Sequence, residues 1–390
     1  MPKRFCITGT CIPDKNYMVD ISGRIDMIIH DYIECGQYFT INRARQFGKT
    51  TTLYMLEQRL KEQYIVISLS FEAVDEYFAS LGTLAEGLVM DIAECLVEQN
   101  VAENIISEWN EPLSEKFPMR SLGIKITNLC KNCDKKVVLM IDEVDKSSDN
   151  QIFLSFLGLL REKYLKCQHG KDVTFQSVIL AGVYDVKTLK VKLHPQDETK
   201  YNSPWNIAVD FMVDMSFYVD DIKSMLLEYE NEHNTGMNIV EISSMIFDYT
   251  SGYPYLVSRI CQLIDERVAV NSGKRNETEA WTKEGVLQAV KILLKEPNTL
   301  FDDMTKKLLD HHTLKDMLQK ILFDGVDFPF KRENPVINLG VTFGFLKDKN
   351  GIVAVSNRIF ETQLYDTFLS EMAINEKLYY IGKKILEVVV

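Results

Sequence analysis

Residues able to bind a phosphate group stand together early in the chain, in the triplet Gly48-Lys49-Thr50. The apolar run Tyr38–Ile41 before them predicts a strand, and the triplet opens a predicted helix that extends to about residue 63. The backbone N–H groups of a helix start form an anion site, and a glycine there lets the backbone approach its ligand. Lys49 is then placed to reach the β- and γ-phosphates of a nucleotide, and the Thr50 hydroxyl to bind Mg²⁺.

The spacing departs at one position from the phosphate-loop (Walker A) pattern G-x-x-x-x-G-K-[ST]. Arg43 stands where the first glycine is expected, so the second half of the pattern alone is matched. The alternative is an ordinary strand, turn and helix that carries a surface lysine. The other loop residues predicted to contact the nucleotide are Arg45, Gln46, Phe47 and Thr51.

A second segment makes nucleotide binding the favoured interpretation. The run Val137–Ile141 is apolar without alternation, as expected of a parallel strand buried on both faces, and it ends in Asp142 and Glu143. Ligands of α/β sheets bind at the carboxyl ends of the strands. In this Walker B-like position, Asp142 is predicted to hold Mg²⁺ and Glu143 to polarise the attacking water. The adjacent carboxylates indicate hydrolysis of ATP to ADP and phosphate, and they argue against a kinase-like P-loop protein.

Length, composition and the lack of a membrane-like or signal-like segment predict a globular, cytoplasmic protein of two or three domains. The chain has 390 residues and a formal net charge of −12, which argues against a general nucleic-acid binder and leaves a local basic face as the route to DNA. No apolar run approaches the length of a membrane helix, and no signal-like segment follows Met1–Arg4. The eight cysteines are scattered, and the lone C-x-x-C at Cys130 and Cys133 is weak support for a zinc site.

Strand and helix signals alternate through residues 1–217 and predict an α/β core with a parallel sheet in three layers. One further strand is expected between the loop strand and the carboxylate strand. The predicted strands after Tyr38–Ile41 are Tyr64–Phe71, Val137–Ile141, Ser177–Ala181 and Ala208–Phe217, with helices over most of the segment from Glu72 to about Lys131.

Helix signals dominate from residue 218 and predict a helical lid over residues 218–278. The predicted third domain, residues 279–390, begins with helices, one of them capped by Asn298. Alternating residues then predict strands at Val336–Leu339, Phe343–Lys347 and Ile352–Val355, with a hairpin turn at Asn350-Gly351. Helices followed by a hairpin predict a winged-helix-like domain, which is the expected contact surface for a protein or DNA partner.

The segment Tyr38–Thr51 resembles the phosphate loop of a bacterial AAA-like ATP-binding protein family. The relatives of that family are archaeal-type and STAND-type ATPases and origin-recognition ATPases. The resemblance extends from Tyr17–Asp20 to the end of the chain, and it implies a P-loop NTPase core, a lid and a winged helix. Related loops often carry arginine or proline where the first glycine is expected, so the resemblance implies that Arg43 is a family variant.

The resemblance implies further roles. Tyr17 and Val19, ahead of the loop, are expected to pack against adenine, with plain core packing as the alternative. Asp185 stands near the sensor position after the fourth strand, where related ATPases usually carry Asn, Ser or Thr. Arg259 is expected to face the γ-phosphate, with a solvated lid arginine as the alternative. Candidates for a charge-stabilising arginine, acting in cis or across subunits of an oligomer, are Arg43, Arg45 and Arg161.

Together these features predict an ATP-binding and ATP-hydrolysing switch protein, in which the nucleotide state moves the lid and the winged helix. The alternatives are a binding-only switch with negligible turnover and an ATP-dependent DNA-binding regulator. A nucleotide kinase is disfavoured by the adjacent carboxylates and the helical lid, and a toxin-linked ATPase by the lack of visible effector residues. The basic residues available to a DNA-binding regulator are Lys331, Arg332, Lys347 and Lys349.

Overall fold

The computed structural model describes residues 2–147, 151–184, 186, 204–270 and 276–389, with backbone alone for 146–147 and 375–389. The chain divides into two compact units. The C-terminal unit comprises Met1–Asp20, Arg45–Phe47 and Ser216–Val390, and the sheet unit comprises Ile21–Ala44 and Gly48–Met215. The predicted boundary at residue 217 lies close to this division, whereas the first twenty residues group with the C-terminal unit. The predicted separation of a lid from a third domain after residue 278 stays a prediction.

The sheet unit is built on a parallel sheet, which was predicted. Four strands of this sheet are described: β3 Phe39–Asn42, β4 Ile65–Ser70, β5 Val137–Asp142 and β6 Ser177–Gly182. Their order across the sheet is β3-β6-β5-β4. Every residue of β5 and β6 is buried, which explains why neither strand alternates in sequence. Strand β6 lies between the loop strand and the carboxylate strand, as expected, and pairs with both.

The predicted strand Ala208–Phe217 is wrong. Among its residues, all of which the structure describes, Val209 alone forms a bridge, parallel to Phe39. The buried residues Phe211, Val213 and Met215 alternate with exposed ones, so the segment is extended with one side facing the core. That arrangement produces the period of two that continuous strand pairing would also produce.

Helices pack against the sheet. The helix that begins at Leu81 starts with a capping box formed by Ser80 and Thr83, and the helix that begins at Gln151 carries a buried apolar face. The predicted helical stretch from Glu72 to Lys131 is divided into three helices, with Asn100 in the left-handed region after the first of them. The described helices of this unit are α1 Ser22–Ile28, α2 Lys49–Leu60, α3 Leu81–Glu98, α4 Glu103–Trp109, α5 Pro118–Asn132 and α6 Gln151–Gln168, with a π-helical turn at Ile29–Ile33 and 3-10 turns at Asp75–Ala79 and Val144–Ser147.

The C-terminal unit is mainly helical. Its described strands form two pairs. The first is a short parallel pair, β1 Arg4–Phe5 and β2 Asn16–Tyr17, and the second is an antiparallel hairpin, β7 Leu346–Lys349 and β8 Ile352–Val355. Its described helices are α7 Val219–His233, α8 Ile239–Thr250, α9 Pro254–Leu263, α10 Glu277–Ala280, α11 Lys283–Lys295, α12 Thr299–Asp310, α13 His312–Phe323, α14 Pro335–Thr342 and α15 Arg358–Val389, with a π-helical turn at Ile264–Val268. No helix that the structure describes combines the length and apolar character needed to cross a bilayer.

Two local predictions in this unit are confirmed and one is wrong. The Asn298 side chain caps α12 by accepting the N–H of Leu300, and the hairpin turns at Asn350-Gly351 with both φ angles positive. The predicted strand Val336–Leu339 is instead part of α14. The Asn334 side chain accepts two backbone N–H groups at the start of that helix, and proline follows as its first residue.

The turn between α8 and α9 requires glycine. Gly252 has a φ of +72°, and its carbonyl accepts the N–H of Phe217 at 2.9 Å. A Cβ atom at Gly252 would lie 1.9 Å from the carbonyl oxygen of Phe217. Both the backbone angle and the close approach of a second backbone segment therefore exclude a side chain at this position.

Candidate functional site

The phosphate loop leads from β3 into α2 through two residues in the left-handed region. The φ angle is +55° at Gln46 and +83° at Gly48. A Cβ atom on Gly48 would meet nothing within 4 Å, so its backbone angle, and not lack of space, favours glycine. The helix begins at Lys49, and N–H groups in the first turn of a helix lack intrahelical acceptors. The turn therefore presents a helix start of the kind that binds anions.

Lys49 is held against the loop that precedes it. Its side chain is buried, and its Nζ donates to the carbonyl oxygens of Arg43 and Ala44, each at 3.0 Å. The Thr52 hydroxyl donates to the carbonyl of Gly48 at 3.0 Å and closes the first turn of α2. The ammonium group thus lies at the loop, and its contact with nucleotide phosphates stays a prediction.

The two predicted Mg²⁺ ligands meet at the carboxyl end of β5. The Thr50 hydroxyl donates to Oδ2 of Asp142 at 2.7 Å, although the two residues are 92 positions apart. The other oxygen, Oδ1, accepts the N–H of Glu143 at 2.8 Å. A hydroxyl and a carboxylate side by side form the kind of oxygen donor set that Mg²⁺ prefers, so these residues fit the ion.

Glu143 follows directly in an uncommon conformation. Its φ is +55°, which is strained for a residue with a Cβ atom, and its side chain is half-buried. Burial raises the pKa of its carboxyl group, and the neighbouring Asp142 raises this pKa further, whereas Lys49 lowers it. Backbone strain and a perturbed carboxyl group at a strand end are features of functional sites.

Arg43 has a structural partner that explains how the loop tolerates it. Its N–H donates to the carbonyl of Gly182, so position 43 extends the pairing of β3 with β6. Its guanidinium donates to the carbonyl of Val213 at 2.9 Å and lies 5.3 Å from the centre of the Phe211 ring. The side chain therefore braces the extended segment at residues 211–213, and its role as a charge-stabilising arginine stays a prediction.

Arg45–Phe47 make their contacts within the C-terminal unit. The Arg45 guanidinium pairs with Asp303 at 3.3 Å, and the Tyr253 hydroxyl donates to the Arg45 carbonyl. The Tyr253 ring also meets the Phe47 ring edge-on, with centroids 4.8 Å apart. The sequence around Tyr253, Gly252-Tyr253-Pro254, indicates a helix boundary and carries no signal of a ligand, so Tyr253 could not be predicted as a loop contact.

Tyr17 and Val19 are core residues of the C-terminal unit, each 1% exposed. The Tyr17 ring lies 5.2 Å from Phe5 and 5.1 Å from Tyr229, and its hydroxyl donates to Glu232 at 2.5 Å. Core packing accounts for both side chains, and their contact with adenine stays a prediction.

The remaining predicted residues lie in several places. Arg259 forms a two-point ion pair with Glu296, with N–O distances of 2.7 and 2.6 Å, and its role at a γ-phosphate stays a prediction. Arg161 lies on α6, and its buried Nε has no acceptor within the described part of the chain. Thr51 lies in the first turn of α2. Asp185, the predicted sensor, lies outside the described residues.

A family model described as an AAA-like domain matches residues 19–315. The chain belongs to this family. The matched range includes both the phosphate loop and the carboxylate strand, so the predicted family is confirmed. No curated protein matches the chain.

Three solved structures are similar to the chain, and the first of them supports this assignment at the level of the fold. The Walker-type ATPase PABY2304 of Pyrococcus abyssi is similar to the chain with a TM-score of 0.56 and 14% identity, over 93% of this chain and 99% of that chain. The RuvB Holliday junction branch migration motor of Thermotoga maritima has a TM-score of 0.41 and 14% identity, over 92% and 98% of the two chains. The Aeropyrum pernix ORC2 protein, in ADPNP-ADP complexes, has a TM-score of 0.41 and 9% identity, over 93% and 96%.

The last two similarities are too low to support an argument. The first, together with the family match, confirms the predicted α/β fold of AAA-like P-loop ATPases. Fold and family are therefore those of nucleotide-binding P-loop proteins.

Proposed function

We propose that the protein binds ATP with Mg²⁺ and hydrolyses it, and that nucleotide state acts as a switch on its C-terminal helices. The hydrogen bond between Thr50 and Asp142 carries this proposal. It joins the helix after the phosphate loop to the end of the carboxylate strand, and each of the two side chains supplies one oxygen for a hard cation.

Four side chains of the sheet unit have roles in the proposed reaction. Thr50 and Asp142 would hold Mg²⁺, which supplies charge neutralisation at the phosphates. The Lys49 ammonium, which donates to two loop carbonyls, provides a second positive charge for the phosphate oxygens. Glu143, next to Asp142 at the same strand end, orients the attacking water and accepts its proton. Phosphoryl transfer needs such positioning and neutralisation more than it needs covalent chemistry.

An ATPase assay and an ATP-binding titration on the purified protein test the proposal with two variants. Lys49→Ala should weaken ATP binding by at least about tenfold, because the counter-charge for the phosphates is removed. Glu143→Gln should keep the Kd within about twofold and lower kcat by roughly 10²- to 10³-fold, because the base is lost while the phosphate contacts stay.

Matched controls are Lys131→Ala and Glu62→Gln, which change exposed residues of the same types in the sheet unit. Both controls should behave like the wild type. Unchanged affinity in Lys49→Ala would refute the site, and full turnover in Glu143→Gln would show that this carboxylate is not the base. ATP binding without measurable turnover of the wild type would favour the binding-only switch.

A further inference from the structure

A third carboxylate follows the pair at the end of β5. Asp145 lies in the 3-10 turn Val144–Ser147, three residues after Asp142. Its Oδ1 accepts the N–H of Tyr184 at 2.9 Å, and its Oδ2 accepts the N–H of Val183. Both N–H groups belong to the segment that directly follows β6. One side chain therefore joins the turn after the carboxylate strand to the end of the neighbouring strand.

The packing around this carboxylate leaves no space for a side chain on β6. A Cβ atom on Gly182 would lie 2.9 Å from Oδ1 of Asp145 and 3.0 Å from Cγ2 of Val144. The Val144 side chain is fully buried. The turn after β5 is thus pressed against the last residue of β6, and glycine permits this approach.

The contact between the Asp145 turn and the end of β6 lies next to Glu143, the residue whose backbone is strained. Glu143, with its φ of +55°, stands between two anchored residues. On one side, Oδ1 of Asp142 accepts the Glu143 N–H, and on the other side Asp145 anchors the following turn. A non-glycine residue keeps such a conformation only where the surroundings hold it. The hydrogen bonds of Asp145 lie on the carboxyl side of Glu143 and those of Asp142 on its amino side.

We propose that Asp145 is a positioning residue for hydrolysis, which holds the turn carrying Glu143 against the end of β6. This inference rests on the proposed ATPase function. Both carboxylate oxygens of Asp145 accept backbone N–H groups. In this proposal Asp145 therefore acts through Glu143, without contacting nucleotide. The same contact fixes the end of β6, which is also paired with the loop strand β3.

Steady-state kinetics and ATP titration of Asp145→Ala and Asp145→Asn test this role. Asp145→Ala loses both acceptors, and we expect kcat to fall by roughly 10- to 100-fold while the ATP Kd and the KM stay within about twofold, because the loop and Lys49 are unchanged. Asp145→Asn keeps one acceptor oxygen and should lose less. Asp134→Ala, an exposed aspartate just before β5, serves as the control and should match the wild type.

Hydrogen exchange supplies a readout independent of turnover. The amides of Val183 and Tyr184 should exchange faster in Asp145→Ala than in the wild type or in the control, because their acceptors are gone. Gly182→Ala should reproduce the loss of kcat by displacing the carboxylate, whereas Gly158→Ala, where a Cβ meets nothing within 4 Å, should not.

The outcomes separate the two claims. Wild-type kcat in Asp145→Ala, together with the expected loss in Glu143→Gln, overturns the positioning role and leaves the ATPase proposal intact. A parallel loss of ATP affinity and kcat in both Asp145 variants also overturns it, because that result indicates general damage to the site. A wild-type protein that binds ATP without turnover overturns the ATPase proposal itself, and the positioning role with it.

Discussion

At the scale of single residues, two positive φ angles lack an ordinary explanation. Of the six non-glycine residues with positive φ in the described part of the chain, three are Asn, a type that tolerates this region, and a fourth, Ser251, ends helix α8. The other two are Gln46 and Glu143, one in the phosphate loop and one beside Asp142. Strained backbone therefore coincides with the two segments that the sequence marks as the nucleotide site.

Gly48→Ala should destabilise the protein, because alanine in the left-handed region costs roughly 1–2 kcal/mol. Gly23→Ala is the matched control: it lies in α1 without a positive φ, and a Cβ there also meets nothing within 4 Å. The control should gain about 0.5–1 kcal/mol of unfolding free energy, as glycine in a helix is replaced. Urea unfolding of both variants measures the difference, and equal effects at the two positions would contradict the conformational explanation.

Motif chemistry gives the candidate site residues whose partners are set by the fold class, and their roles stay predictions. Lys49, Thr50, Asp142 and Glu143 follow from the loop and from the carboxylates at a strand end, and the structure brings Thr50 and Asp142 together. The use of Arg43 could not be predicted, because its acceptor, the Val213 carbonyl, lies 170 residues away in an irregular segment. Nothing local distinguishes such a pairing from a solvated arginine.

At the scale of elements, continuous apolar runs identified the buried strands, whereas alternation failed where other structures share its period of two. Strands β3, β5 and β6 and the start of α2 were predicted close to their observed bounds. The segment Ala208–Phe217 alternates because one side of an extended chain faces the core, and Val336–Leu339 belongs to a helix whose Asn334-Pro335 start was the better signal. Alternation in sequence indicates only that one side of a segment is buried. Whether the segment also pairs with another strand depends on a partner that the local sequence does not identify.

The turn between α8 and α9 gives a prediction at the same scale. Gly252→Ala should cost roughly 2–4 kcal/mol, because the positive φ and a collision with the Phe217 carbonyl act together. Gly236→Ala shares the positive φ, and there a Cβ meets nothing within 4 Å, so it should cost about 1–2 kcal/mol. Thermal unfolding compares the two, and equal losses would show that the close approach of residue 217 is unimportant.

At the scale of the whole molecule, the division into units could be predicted only in part. A boundary near residue 217 follows from the change from alternating signals to helices. The assignment of the first twenty residues does not, because it depends on contacts such as that of Tyr17 with Glu232, which lies 215 positions away.

The charge of the whole molecule bears on the DNA-binding alternative. The formal net charge is −12, and α14, the helix before the hairpin, carries no charged residue. On the hairpin, Lys347 donates to the Ser251 hydroxyl, and burial, with a smaller contribution from Lys349, lowers its pKa. We therefore expect no measurable duplex DNA binding at about 0.15 M salt. Filter binding with a salt titration checks this, and affinity that falls steeply with salt would restore the DNA-binding regulator.

The strand order has a consequence for the newly made chain. Strand β3, which leads into the phosphate loop, takes its described ladder partner from β6, about 140 residues further along. At roughly 5–20 residues per second of synthesis, β3 waits on the order of ten seconds for that partner. During that interval the ladder partner that the structure describes for β3 is not yet made, whereas β4 can pair with β5 sooner. The phosphate loop is thus anchored late in biogenesis, and the ATP binding proposed above requires a chain in which β3 and β6 are already paired.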